Sequence, residues 1–133
     1  MLEMGTIATA TINTSEIDMA SSLSLEPHDQ FPQVFSTSRM IMLMEVAASR
    51  AMISLLESGQ LSVGVDVNIK HLAATPLGAK VIASATFLGM EGKLYKFAIE
   101  ASDAGGVIGR GEHTRAIVDV ERLEKGAKTR VSL

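Results

Sequence analysis

The chain has 133 residues, enough for one domain built around one core. With 47% hydrophobic and 20% charged residues it reads as an ordinary globular protein, and its net charge of −3 gives no electrostatic case for a nucleic-acid partner. It contains no cysteine, which excludes disulfides, a thiolate nucleophile and cysteine-based zinc sites.

No apolar run approaches the roughly 20 residues that span a bilayer, so no membrane partner is expected. Met1 to Thr6 lacks the basic and apolar regions of a leader, and the expected location is the cytoplasm. The chain has 8 methionines against 4% aromatic residues, a composition that suits a soft core or a flexible apolar ligand.

In chain order, Thr6 to Ile12 alternates Thr, Ala and Ile and predicts a first strand. Asn13 to Gln33 is polar and irregular, with Pro27 and Pro32, and reads as a long loop, either a lid or a loosely held connection. Ser36, Thr37 and Ser38 offer N-caps for a helix from about Ser38 to Glu57, closed by Gly59. Its apolar residues cover more than one face, which predicts deep burial.

Val63, Val65, Val67 and Ile69 then alternate with polar residues in a half-buried strand. A turn at Thr75–Gly78 follows, then strands over Lys80–Leu88, Lys93–Ser102 and Val107–Val120. These are separated by turns at Gly89–Gly92 and Asp103–Gly106, and the last strand has candidate bends at Gly109 or Gly111. Glu121 to Leu133 reads as a charged, fraying tail. One apolar helix is the only available cover for one face of this antiparallel sheet. The expected architecture is α+β, a single domain over residues 1–133 with the sheet curled around the helix, which is the hotdog fold. Its free sheet edge predicts a homodimer or a dimer of dimers.

Glu45 is the most informative residue. It lies among Met40, Ile41, Leu43, Met44, Val46 and Ala47, where a carboxylate loses solvation and must find a partner or keep a proton. If odd-numbered residues of the following strand face the helix, His71 points toward it. Thr37 lies at the helix start, roughly 80° around the axis from Glu45. The first helical turn also offers free N–H groups for a developing oxyanion, and Gly64 would allow close approach to the backbone. Thr37, Glu45 and His71 together suit acyl transfer. Each also has an ordinary reading: Thr37 as a helix cap, His71 as a structural histidine, Glu45 as a partner of Arg50 or of a backbone group. His113 reads as an exposed or edge-strand histidine and His28 as a loop histidine. The three histidines lack metal-ligand spacing, and no metal or cofactor is expected.

Phe31-Pro-Gln-Val-Phe35-Ser-Thr37, Met40-x-x-Leu-Met-Glu45, Val63-Gly64, Lys70-His71-Leu-Ala-Ala-Thr-Pro76-x-Gly78 and Gly109-x-Gly-x-His113-x-Arg115 resemble the fluoroacetyl-CoA thioesterase-like hotdog proteins. The resemblance covers residues 30 to 120. It implies a homodimeric hotdog hydrolysing short acyl-CoA thioesters, with Thr37, Glu45 and His71 as catalytic residues. It also implies substrate contacts from Gly64, Phe31, Phe35 and Arg115. The stretch before Phe31 departs from the family pattern, which points to a broader acyl-CoA substrate than fluoroacetyl-CoA. Lys70, Lys80, Lys93 and Arg110 are the cations available for CoA phosphates. The competing expectations are a non-catalytic acyl-CoA-binding module and an enoyl-thioester hydratase.

Overall fold

The computed structural model describes all 133 residues. Five strands form one antiparallel sheet: β1 (Ile7–Asn13), β2 (Gln60–His71), β3 (Lys80–Glu91), β4 (Leu94–Asp103) and β5 (Gly106–Asp119). Their spatial order is β1-β3-β4-β5-β2, which leaves β1 and β2 as edges and puts β5 in the interior. One long helix, α1 (Thr37–Met52), lies on the inner face. A second, α2 (Val120–Val131), follows β5 directly and buries no residue. The expected hotdog architecture is thus present.

Helix α1 buries Met40, Leu43, Met44, Ala47, Ala48, Ala51 and Met52, a stripe at intervals of three and four. It packs chiefly on β1 and β3 and less on β2, so the β2 side of the inner face is the less covered one. The inner face of β3 and β4 supplies Val81, Ala83, Ala85, Phe87, Phe97, Ile99 and Ala101. The many alanines let the helix sit close to the sheet, and the methionines fill what remains.

Several elements depart from the expected boundaries. The helix ends at Met52 and passes through a 3₁₀ turn, Ile53–Leu55, so Gly59 does not cap it. Gly59, at φ 83°, instead turns the chain into β2. The β3–β4 turn is Gly92-Lys93, between the paired Glu91 and Leu94. Gly89 belongs to a bulge where Leu88 is the extra residue. In β5 the irregularity falls at Ile108, just before Gly109. The expected fraying tail is the helix α2. Asp119 caps it by accepting a hydrogen bond from the Arg122 amide.

The long loop between β1 and α1 is tied down at both ends. The Thr14 hydroxyl donates to the Pro76 carbonyl and accepts from the Ala79 amide. Asp18 is buried and accepts from Arg39 Nε at 2.9 Å and from the Ser15 amide at 2.9 Å. Burial alone would raise the Asp18 pKa. The Ser15 and Arg39 hydrogen bonds and the Arg39 charge outweigh it and hold the carboxyl below its ordinary value. Met19 is fully buried and bridges to Phe35. The tip, with Leu25 and Phe31, stands out in solvent, as does Ile17 near the loop's start.

Candidate active site

Ser36, not Thr37, caps α1: its hydroxyl accepts from the Arg39 amide. That leaves the Thr37 side chain free. It shares a 2.8 Å hydrogen bond with His71 Nδ1 across 34 positions of sequence. His71 is half-buried, and its Nε2 is enclosed without a hydrogen-bond partner. Unpaired buried polar atoms are rare in folded proteins and concentrate where chemistry needs them. Burial pushes the His71 pKa below the ordinary histidine value, opposed by the nearby Ala73 backbone. That backbone favours the charged ring without making a well-aligned bond to Nε2. Thr37 and His71 line a cleft of about 450 Å³ together with Pro32, Val34, Ala73 and Ala74. As the first two residues of α1, Thr37 and Ser38 have amides with no intrahelical partner.

Glu45 forms a second cluster. Its carboxylate accepts from Arg115 Nη1 at 3.2 Å. The Glu45 side chain is 40% exposed while that of Arg115 is 6% exposed, so the expected deep burial belongs to the cation. Arg115 is fixed by Nε donating to the Ser62 hydroxyl and Nη2 donating to the Ser62 carbonyl, both at 2.9 Å. Burial lowers the Arg115 pKa, and the Glu45 charge and hydrogen bond oppose that. Arg50, the partner considered for Glu45, donates to the Thr9 carbonyl instead.

Glu45 and His71 are not hydrogen-bonded to each other within the chain. Thr37 and Glu45 are separated by eight residues, about 12 Å of helix axis, and His71 is committed to Thr37. Two residues close in angle around a helix can still lie far apart along its axis.

Gly64 completes the second cluster. A Cβ there would stand 2.6 Å from Glu45 Oε2 and 3.2 Å from His113 Cε1. The missing side chain therefore makes room for Glu45. The odd-inward pattern expected of β2 holds only after a bulge at Val65, since Gly64 opposes Arg115 and Asp66 opposes Thr114. Before it, the even residues Ser62 and Gly64 face the helix. After it, Ile69 and His71 do. The inward aim expected of His71 is therefore correct, though the strand reaches it through a bulge.

His113 is not exposed, and β5 is not an edge: the residue is 1% exposed. His28 is exposed beside Glu26. Phe35 is a core residue at 1% exposure, with Phe31 exposed at the loop tip. Lys70, Lys80, Lys93 and Arg110 are all exposed, and Lys70 opposes Arg110 across β2 and β5. No helix is long and apolar enough to cross a membrane.

A sheet curled on one helix, with a hydroxyl–imidazole pair at the helix start and an anchored carboxylate farther along, defines a hotdog protein equipped for acyl chemistry. Residues 16–121 match the fluoroacetyl-CoA-specific thioesterase family. A fluoroacetyl-CoA thioesterase of Streptantibioticus cattleyicolor is 40% identical over 94 residues, 71% of this chain and 68% of that one. A solved structure of a fluoroacetyl-CoA thioesterase variant in complex with fluoroacetate superposes with a TM-score of 0.90 at 31% identity, covering 96% of this chain and 98% of that one. A Thermus thermophilus thioesterase superfamily member shares the fold at a TM-score of 0.87 and 22% identity, covering 99% of this chain and 95% of that one. The chain belongs to the fluoroacetyl-CoA-specific thioesterase family and is a thioester hydrolase.

Proposed function

We propose that the protein hydrolyses short-chain acyl-CoA thioesters to the free acid and CoA, using Thr37, His71 and Glu45. The observation that carries this reading is the 2.8 Å Thr37–His71 contact inside a cleft at the helix N-terminus. The thioester carbonyl fits there, with its oxygen toward the free Thr37 and Ser38 amides. The Thr37 hydroxyl, held by His71, orients the acyl group. Glu45 takes a proton from water as the water oxygen bonds to the carbonyl carbon. It returns that proton to the sulfur as the C–S bond breaks.

Within one chain the two clusters stand too far apart for that sequence. A homodimer built on the β2 edge brings them together. Leu61, Val65 and Leu72 on or beside β2 are each more than half exposed, an apolar edge that a second copy would cover. Pairing is antiparallel about a two-fold axis near Val67, which sets His71 of one chain beside Gly64 and Glu45 of the other. Two sites then form, each from both chains.

In this reading Phe31 closes over the acyl group from the loop tip, Phe35 supports that loop from the core, and Gly64 and Arg115 shape the acyl site. Lys70 with Arg110 meets the CoA diphosphate. The absence of cysteine removes any need for an oxidising compartment, and the reading assigns the enzyme to the cytoplasm.

The test is free-thiol release from acyl-CoAs of increasing length, fluoroacetyl-CoA included, with wild type beside Glu45→Gln and His71→Ala. Turnover that is greatest for short acyl groups and lost in both folded variants is the expected result. Thermal stabilisation by CoA thioesters without thiol release would contradict it.

A further inference from the structure

His113 has no part in the proposed chemistry, yet its ring meets Arg115 and lies beside Gly64 in the Glu45 cluster. Its Nδ1 lies 2.8 Å from the Asp66 carbonyl. A carbonyl only accepts, so Nδ1 carries the proton. Nε2 of the neutral ring is then an acceptor, and Arg115 Nη1 donates to it at 3.1 Å. The same Nη1 reaches Glu45 Oε2 at 3.2 Å. The chain of contacts runs from the Asp66 backbone through His113 and Arg115 to Glu45. The bulge at Val65 interrupts the β2–β5 ladder beside Asp66, the residue whose carbonyl meets the ring.

We propose that His113 is a positioning residue: clamped by the Asp66 carbonyl, its neutral ring aims the Arg115 guanidinium at Glu45 and so sets where the catalytic carboxylate stands. The catalytic part of this inference rests on the role given above to Glu45. The charged groups around the ring are Arg115 on its own strand, Glu45 from α1 and Asp66 from β2. The residue opposite it on β4 is Phe97, which is apolar and fully buried. A protonated ring would oppose N–H to N–H at Arg115 and set two cations side by side. Burial, and then the Arg115 charge, push the His113 pKa below the ordinary value, against the opposing effects of Asp66 and Glu45. The ring is therefore neutral at neutral pH, as the geometry requires.

Two readouts separate this role from plain packing. Nitrogen-15 NMR of the full-length protein should show His113 as the neutral Nδ1–H tautomer at neutral pH. An Nε2–H or charged ring would overturn the proposal. In steady-state hydrolysis, His113→Phe should lower kcat by about tenfold or more with KM changed less than about threefold. His113→Gln, whose amide oxygen reaches near the Nε2 position, should recover most of that loss.

In an Arg115→Lys background, which keeps residual activity, His113→Phe should cost less than about twofold, because His113 acts through the Arg115 guanidinium. An equal loss in both backgrounds would make His113 a packing residue only. Should His113→Phe fail to fold, His113→Gln must still outperform His113→Asn, whose shorter arm cannot serve Arg115. The reverse order overturns the proposal. A wild type with the Nδ1–H tautomer but no thiol release contradicts the hydrolytic reading and leaves the His113 geometry supported.

Discussion

Arg115 reaches Glu45 from a side chain that is 6% exposed, while the carboxylate it holds is 40% exposed. The cation is the fixed member of the pair, locked by two hydrogen bonds to Ser62, and the anion faces outward toward the open edge of the sheet. Arg115→Lys keeps the charge but cannot bond Ser62 and Glu45 together from a planar fork. It should lower kcat/KM by about a hundredfold while the protein stays folded. Arg115→Met should also destabilise by about 1 kcal/mol, because the part-buried Ser62 carbonyl loses its charged donor. Steady-state kinetics and urea denaturation read the two effects separately.

Gly64→Ala should act on the same carboxylate from β2, where Gly64 pairs with Arg115. The new methyl would stand 2.6 Å from Glu45 Oε2, and Glu45 is the more movable of the two. The expected result is a folded enzyme with its melting temperature within a few degrees of wild type and kcat reduced about tenfold or more. Calorimetry beside thiol-release kinetics checks it.

Thr37 separates a hydroxyl requirement from helix capping. Since Ser36 provides the cap, Thr37→Val should leave stability almost unchanged and remove the hydrogen bond to His71. Thr37→Ser should retain most activity, whereas Thr37→Val should lose about a hundredfold in kcat. A destabilisation of about 1 kcal/mol in Thr37→Val would instead mark Thr37 as the cap.

Stability should fall on acidification through the histidine range. Both His71 and His113 titrate below the ordinary value in the folded chain, so the unfolded chain binds more protons between the folded values and about 6.5. Their contribution is fully present above about pH 6.5 and is lost as the pH drops toward the folded values. Denaturant melts from about pH 7.5 to about pH 5 should show stability decreasing, and His113→Gln should flatten part of that slope.

The sequence carried the element types well because the patterns were strong: an apolar helix of intervals three and four, then strands of period two. It carried spatial order less well. His113 reads as exposed or on an edge strand, but β2 pairs outside β5. That single step turned His113 from an edge residue into a buried one. Local glycines misled in the β3–β4 hairpin, where Gly89 serves a bulge and Gly92 the turn. The separation of Glu45 from His71 was hidden because a helical projection discards rise along the axis. The motif His113-x-Arg115 did contain the missing signal, since residues two apart on a strand share a face.

In the proposed dimer each site takes Thr37 and His71 from one chain and Glu45 from another. Mixing subunits tests it most directly. Glu45→Gln and His71→Ala proteins, each inactive alone, would be unfolded together, refolded and assayed for thiol release. If sites are shared, half of the randomly paired dimers are mixed and each carries one intact site, restoring about a quarter of wild-type activity. No recovery from mixed dimers confirmed to have formed would place the whole site within one chain and contradict the account.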